Sequence, residues 1–455
     1  MKNKFYDVVV CGAGMAGIAA AYSLAIKFQK SVLLIDEGAP LSLTSDKSTE
    51  CYRNWWGGPD NAMLSLMNRS ISLMEEYAVE CDNSFLMRPH GYLFATKNKK
   101  EANQLYKQAK NAELLGVGRL REITKISEYK PNDFGSPISG QDGSDFITSK
   151  EIIKTLFPYL NKETEAVLHV RRCGSLSAQQ LGMHLLEKAR KERCEFQTSK
   201  FTGIETSGGK VSSVTIEQNG LENSIATDAL VLAPGPYLKK TLEKIGLNLP
   251  VLVEKHVKIS LPDTLNVVPR DAPLIIWNDP IELPWTNEEK SHLADSPETE
   301  WLLKTFPPGV HGRPVGAGNQ VLMYWTYDCE TTTYPEFPIV WDPYLPDVTL
   351  RGMAVMVPGL EKYFDPMPRP YVDGGYYTRT EENRPLVGPL KIPGTFICGA
   401  FSGFGIMSAC GAGDLLAQHV TNADLPDYAG AFLPSRYEDP VYLQEIKKWV
   451  VDGQL

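Results

Sequence analysis

Gly12, Gly14 and Gly17 stand at the spacing G-x-G-x-x-G, and Asp36 follows 19 residues after the last of them. That combination can hold a dinucleotide. The first glycine permits a tight turn, the second leaves no side chain in the path of a pyrophosphate, and the third lets a helix lie close to a strand. The helix N-terminus then offers unpaired N–H groups and a positive dipole end to phosphate. An acidic side chain about 20 positions on accepts from ribose hydroxyls. Met15 and Ala16 share this cradle, and Glu37 stands beside Asp36. A second glycine-rich turn, Gly399 to Met407 with Gly403 and Gly405, lies far along the chain. Two readings of it stay open: a second backbone cradle for the same ligand, or close packing of a helix on a strand.

Several side chains have types suited to a small-molecule site. The planar guanidinium of Arg53 matches a bidentate carboxylate, and it equally suits a structural ion pair. Trp55, Trp56, Tyr324 and Trp325 could wall a pocket for an amine through cation–π contact. They suit the core of a β domain as well. His256, in Glu254-Lys255-His256-Val257, either borders a pocket or is structural.

Stepping outward, the elements that position these residues follow from pattern. Tyr6 to Cys11 is apolar almost throughout, as a parallel strand covered on both faces must be. An Ala-rich helix from Ile18 to Lys27 and a second strand, Ser31 to Ile35, complete a βαβ unit. The spacing of Met63, Leu66, Met67, Ile71 and Met74 predicts a helix over 61–81. Strands are expected over 85–96, 196–205, 211–217 and 228–233, and helices over 175–193, 350–363 and 408–420. Residues 98–135, charged and mixed, read as peripheral helix. Residues 250–345 hold five of the eight tryptophans and alternate strand-like runs with proline-rich loops, which points to a separate antiparallel domain.

Composition narrows the class. The 455 residues carry a net charge of -9, against a nucleic-acid binder and against docking on anionic membranes. Hydrophobic residues are 43% and charged residues 22%, ordinary for a soluble globular protein. Eight scattered cysteines with no C-x-x-C pair, and seven histidines with no H-E-x-x-H, argue against a disulfide framework and a metal site. Cys11 and Cys398 read as buried free thiols. Two uncharged runs, Val8 to Ile26 and Ile392 to Gly413, imitate membrane segments. Glycine turns interrupt both, so neither is expected to span a bilayer, nor the first to be a signal peptide. The expectation is a cytoplasmic protein in a reducing compartment.

Together the motifs resemble the D-amino acid oxidase superfamily of flavoproteins, in the branch of glycine oxidase, sarcosine oxidase and the amine or D-amino acid dehydrogenases. The resemblance runs over nearly the whole chain. It implies that the βαβ unit (Gly12, Gly14, Met15, Ala16, Gly17, Asp36, Glu37) holds the ADP part of FAD. It also implies that Thr44 and Ser45 lie along the pyrophosphate and flavin, and that Phe201 and Thr202 contact the adenine. Gly235 ends the strand Asp228 to Ala233, Arg384 belongs to the segment 376–388, and Gly403, Phe404, Gly405, Ile406 and Met407 lie under the isoalloxazine. Phe432, Pro434, Arg436 and Tyr437 match the common tail. The implied fold class is α/β (α+β two-domain): a Rossmann-like FAD-binding domain of the glutathione-reductase type and an antiparallel β-sheet substrate domain. The first takes 1–84, 150–245 and 373–435, the second 85–149 and 246–372, with a tail at 436–455.

Departures from the family pattern shape the functional expectation. The covalent flavin attachment Cys of the sarcosine branch is matched by Gly375, and the His of the dimethylglycine branch by Asp46 or Lys47, so FAD is expected to be noncovalent. The His of the glycine turn is Phe404, a following Lys is Met407, and the Arg of glycine-oxidase-like enzymes is Tyr377. The strand Val321 to Trp325 lacks the oxygen-activating Lys of sarcosine oxidases, which favours a dehydrogenase. Arg53, Tyr377 and Arg379 are the expected catalytic residues. The implied reaction is hydride loss from a carbon bearing nitrogen, with an amine or amino acid as substrate. A 2-hydroxy acid substrate, or a flavin-bearing assembly protein with little turnover, are the alternatives. The electron acceptor, whether oxygen, a quinone or a protein, and a homo-oligomeric state are left open.

Overall fold

The computed structural model describes residues 4–133 and 135–449. The last six residues of the expected tail, 450–455, and residues 1–3 of the first expected segment lie outside them.

Strand Phe5–Cys11 is the centre of an eight-stranded sheet. It pairs in parallel with Val32–Asp36 on one side and Leu221–Leu232 on the other. Cys194–Thr198 extends one edge in parallel, while Lys200–Ser207 and Lys210–Gln218 extend the other as an antiparallel meander. Strand Thr395–Gly399 also joins Leu221–Leu232 in parallel. Alternation along the first strand explains its continuous apolar run. Val8 and Val10 face a core of helices, while Val9 and Cys11 face a second core beneath the sheet. Helices Met15–Tyr22, Ala62–Glu80, Ala178–Glu192 and Gly405–Thr421 fill the first of these cores.

The second sheet has ten strands. Its order runs from Thr331–Thr332 through Leu252–Pro262, Gln320–Tyr324, His311–Pro314, Leu274–Trp277, Tyr92–Thr96, Ala166–Val170 and Ser144–Ile147 to Leu120–Glu122. Most pairs are antiparallel, but Leu274–Trp277 with Tyr92–Thr96, and Leu120–Glu122 with Ser144–Ile147, are parallel. Strand Tyr371–Arg379 pairs antiparallel with Leu252–Pro262 along nearly its whole length. A small ribbon, Cys51–Arg53 against Cys173–Ser175, lies outside both sheets.

Several local expectations change. Of 85–96 only Tyr92–Thr96 is a strand, because Asn83 and Leu86 take left-handed backbone and 85–91 folds as a loop. The helix expected over 98–135 stops at Leu115, where Gly116 at φ +100 caps it. Residues 350–363 divide into the end of helix Leu345–Met356 and a tighter turn, Pro358–Tyr363, where Pro358 cannot continue the hydrogen-bond ladder. Strand Ala166–Val170 lies in the second sheet although 150–245 was expected to serve the first. Tyr371–Arg379 likewise belongs to the second sheet by its pairing, within a segment assigned to the first from residue 373. All eight cysteines are free, and burial pushes Cys11 and Cys398 up to about 12. No helix of the described residues is long and apolar enough to cross a membrane.

Candidate active site

The first strand delivers the chain into Gly12, which has φ +108. A Cβ there would sit 2.2 Å from the Ala233 carbonyl oxygen, and one on Gly17 would meet the Gly12 carbonyl oxygen at 1.8 Å. Only glycine permits this approach of strand, turn and helix. Helix Met15–Tyr22 opens without a side chain of its own as cap. The Met15 N–H donates to Ser45 Oγ at 3.0 Å. Asp36 accepts from Ala13 N–H at 2.7 Å and from Gly38 N–H at 2.9 Å, so its carboxylate is fixed at the end of strand Val32–Asp36.

An elongated cleft opens over this turn. Its walls come from Gly12, Gly14 to Ala16, Asp36, the loop 39–48, Ala233 to Pro236, Tyr376 to Thr378, Cys398 to Gly403, Gly405 and Ile406. The glycine turn after strand Thr395–Gly399 is held in an unusual shape: Ala400 at φ +56 and Ser402 at φ +53 are left-handed without being glycine. Such conformations cost of order 1–3 kcal/mol each and cluster where a ligand is clamped. Ser402 Oγ donates to Asn383 Oδ1 at 3.0 Å and so holds the turn open. Helix Gly405–Thr421 begins there without a side-chain cap. Two helix N-termini therefore meet one elongated cleft, with an acidic side chain near one of them, and this donor set fits FAD.

The opposite wall is carried by the second sheet. Its strands Leu252–Pro262 and Tyr371–Arg379 set Glu254 against Tyr377 and His256 against Gly375. The Tyr377 ring stacks on His256, centroids 4.0 Å apart and planes at 24°. His256 Nε2 lies 2.7 Å from Glu254 Oε1, and Arg379 Nη1 donates to Glu254 Oε2 at 3.1 Å. His256 Nδ1 bonds the Tyr324 hydroxyl, with Cys329 Sγ 3.4 Å away. Burial holds His256 below the usual histidine value, against the pull of Glu254. Glu254 is held below the carboxylate range by its bond to His256 and by Arg379. Arg379 thus balances Glu254, and the imidazole stays neutral. Nε2–H then donates to Glu254, which leaves Nδ1 to accept from Tyr324 O–H. Tyr324, buried, is pushed far above the phenol range, and its hydroxyl interacts with that of Tyr377.

The expected site residues distribute unevenly. Gly12, Gly14, Met15, Ala16, Asp36, Thr44, Ser45, Gly235, Gly403, Gly405, Ile406 and Tyr377 line the cleft. Gly17 acts one layer behind, against Gly12. Arg53, Phe404 and Arg379 do not line the cleft: Arg53 is buried beside Trp56 (4.9 Å to the ring) and Phe404 (5.7 Å), Phe404 turns into the helical core edge-on to Trp56, and Arg379 is held by Glu254. Met407 packs in the helical core and Glu37 is exposed. Phe201 turns into the core beneath the first sheet, and Thr202 donates to Glu222 at 3.2 Å; neither lines the cleft. Arg384 points elsewhere too, pairing with Asp60 at 2.8 Å and lying over the Trp449 ring at 4.7 Å. Trp325 is core, hydrogen-bonded to the Pro307 carbonyl, and Trp55 packs near Phe94.

The motifs of the sequence do not single out Glu254 or Lys258. Lys258 Nζ donates to the Lys47 carbonyl at 2.8 Å and lies 3.4 Å from Asp373, beside Gly375, where a Cβ would touch Lys47. The signal was available: titratable residues at 254, 256 and 258 share one face of an extended strand.

The profile of the family described as FAD dependent oxidoreductase matches residues 7–419. The chain belongs to this family, the D-amino acid oxidase type of FAD-dependent oxidoreductases. Its fold is similar to that of L-proline dehydrogenase from P. horikoshii, at 18% identity and TM-score 0.71 over 96% of this chain and 98% of that one. Glycine oxidase from Geobacillus kaustophilus has 17% identity and TM-score 0.72 over 95% and 98%. Iminodiacetate oxidase from Chelativorans sp. BNC1 has 16% identity and TM-score 0.69 over 94% and 98%. No curated protein matches the sequence.

Proposed function

We propose that the protein is a dehydrogenase that oxidises the C–N bond of an amine or amino acid, with FAD held noncovalently. The observation that carries this reading is the pairing of a backbone-lined FAD cleft with Tyr377 on its other wall, backed by Tyr324 and neutral His256. The similar structures bear the names of enzymes of proline, glycine and iminodiacetate, all compounds with an oxidisable C–N bond.

FAD supplies the hydride acceptor when bound. Around it, N–H groups of the turn 403–406 offset negative charge at the cleft floor. The side chains manage the substrate's proton. An amine arrives protonated and loses hydride only as the free base. Tyr377 and Tyr324 carry that proton from the cleft to His256 Nδ1, and Glu254, steadied by Arg379, stabilises the imidazolium that results. The two lysines beside Gly375 are committed: Lys47 pairs with Asp46 at 2.6 Å and with Asp373 at 3.4 Å, and Lys258 shares Asp373. A cation tied to carboxylates stabilises superoxide poorly, which favours slow reaction with oxygen.

The test is anaerobic bleaching of the flavin against amines, amino acids and 2-hydroxy acids, followed by air. Bleaching by an amine, release of ammonia or a smaller amine, and slow return in air are expected. Rapid return makes the protein an oxidase. Bleaching by a hydroxy acid alone moves the chemistry to a C–O bond. No bleaching by any of them favours a flavin-bearing assembly protein. Acid precipitation should leave FAD in the supernatant; FAD that stays with the pellet overturns noncovalent binding.

A further inference from the structure

A second cavity, of about 160 Å³, lies between the Cys51–Arg53/Cys173–Ser175 ribbon and the hairpin His311–Pro314/Gln320–Tyr324, and shares no lining residue with the flavin cleft. Three arginines, Arg88, Arg270 and Arg313, line it together with His90 and Ser177, the N-cap of helix Ala178–Glu192. Their hydrogen bonds go mainly to neutral carbonyls. Arg88 Nη1 donates to the Gly316 oxygen at 3.0 Å. Arg270 donates to those of Gln320 (3.0 Å) and Val315 (2.8 Å), and Arg313 to those of Thr49 (2.7 Å) and Pro314 (3.0 Å). The one carboxylate in the wall, Glu50, is 3.4 Å from Arg313 and already accepts from the Ala178 N–H at 2.9 Å. Among the described residues, neither Arg88 nor Arg270 has a carboxylate within ion-pair distance.

Carbonyl oxygens satisfy N–H groups but do not neutralise charge. Three guanidiniums around one cavity against one shared carboxylate leave an excess of positive charge in partly desolvated surroundings, which is unfavourable without a counter-ion. Arg270 is lowered chiefly by burial; the Asp263 carboxylate, engaged with Tyr363 and the Val267 and Val268 N–H groups, opposes this, and Arg88 and Arg313 reinforce it. Guanidinium forks match the planar or tetrahedral oxygens of carboxylate and phosphate. A cavity of about 150 Å³ accommodates a molecule the size of benzene. We infer that the pocket of Arg88, Arg270 and Arg313 is a binding site for a small oxyanion, a phosphate or carboxylate group carried by a compact molecule. The inference is independent of the flavin chemistry proposed above.

The test is calorimetric titration of the full-chain holoprotein with inorganic phosphate and, separately, with malonate, at constant ionic strength. Saturable binding of one or both is expected, and the better ligand names the oxyanion source. Arg88→Gln, which gives up a single hydrogen bond to the loop, should weaken binding at least ~10-fold, about 1.4 kcal/mol. Arg270→Gln should do the same where it folds, as judged by its flavin spectrum. Glu50→Gln keeps a group able to accept from Ala178, removes the opposing charge and should tighten binding several-fold. No saturable binding of either anion, equal binding by Arg88→Gln, or weaker binding by Glu50→Gln would overturn the site and leave the arginines as clamps on the loop 314–320.

Discussion

The two walls of the flavin cleft are made of different material. On the side of the first sheet, peptide N–H groups and glycine surfaces face the cleft, placed by strand ends and uncapped helix starts. On the side of the second sheet, Tyr376, Tyr377 and Thr378 face the cleft, and behind Tyr377 runs a chain of side chains, Arg379 to Glu254 to His256 to Tyr324. The backbone wall carries fixed dipoles that no change of pH alters. The side-chain wall titrates, and it takes its geometry from pairing between strands that are distant in sequence. One wall suits a ligand that is always the same, and the other suits chemistry that differs between relatives.

The sharpest way to break this contrast is to place bulk on the backbone wall. Gly12→Val should abolish the holoprotein, since even its Cβ meets backbone at 2.2 Å. Gly14→Val should fold, because a Cβ there meets only Ser45 Oγ at 3.4 Å, yet lose FAD affinity at least ~100-fold, about 2.7 kcal/mol. Flavin fluorescence titration of the purified apoprotein measures this, and a Gly14→Val protein that keeps FAD would remove the pyrophosphate from the cradle. On the other wall, His256→Phe should lower kcat by ~10²-fold or more with FAD affinity little changed, as expected for a lost proton acceptor. Equal losses in kcat and FAD affinity would instead make His256 part of the cradle.

Part of the pH dependence of stability should come from the titrating wall, and part from histidines buried elsewhere, His169 above all. His311, whose ring meets Tyr324 edge-on at 5.0 Å, is lowered by burial to about 4, and His256 is lowered as well. An unfolded chain takes up these protons near the ordinary ~6.5, before the folded one does, so stability is full above that value and falls as pH drops toward about 4. Melting temperatures recorded through this interval should decline, and His311→Gln should flatten the decline. The smallest effects should come from residues outside both walls. Thr202→Ala and Arg384→Gln should alter FAD affinity by less than ~2-fold, as substitutions away from a site do. A larger loss from Thr202→Ala would return the adenine to strand Lys200–Ser207.

The same division explains what could be read from the sequence. Gly12, Gly14, Gly17 and Asp36 are legible because the demand on them is local: a turn, a close approach and a strand end within one βαβ unit. Gly403 and Gly405 are legible for the same reason. Phe201, Thr202 and Arg384 came from the family resemblance rather than from a local demand, and their side chains find partners elsewhere. The Glu254–Arg379 pair is not legible because no spacing links residues 125 apart; only the antiparallel register of two strands brings them together. The sheet that Ala166–Val170 joins is illegible for a similar reason, since an apolar run does not name its partner strands.

Strand Tyr371–Arg379 lies zipped to Leu252–Pro262, and its last residue forms a bridge with Phe401 in the glycine turn. Thr378 Oγ1 also donates to the Gly235 carbonyl, and Thr44 Oγ1 to that of Tyr376. The strand is therefore a mechanical strut between the halves of the molecule. Clamping the turn on one side stiffens a sheet on the other. Amide exchange should report this as slower deuterium uptake along 252–262 when FAD is loaded, in a segment the cofactor need not touch.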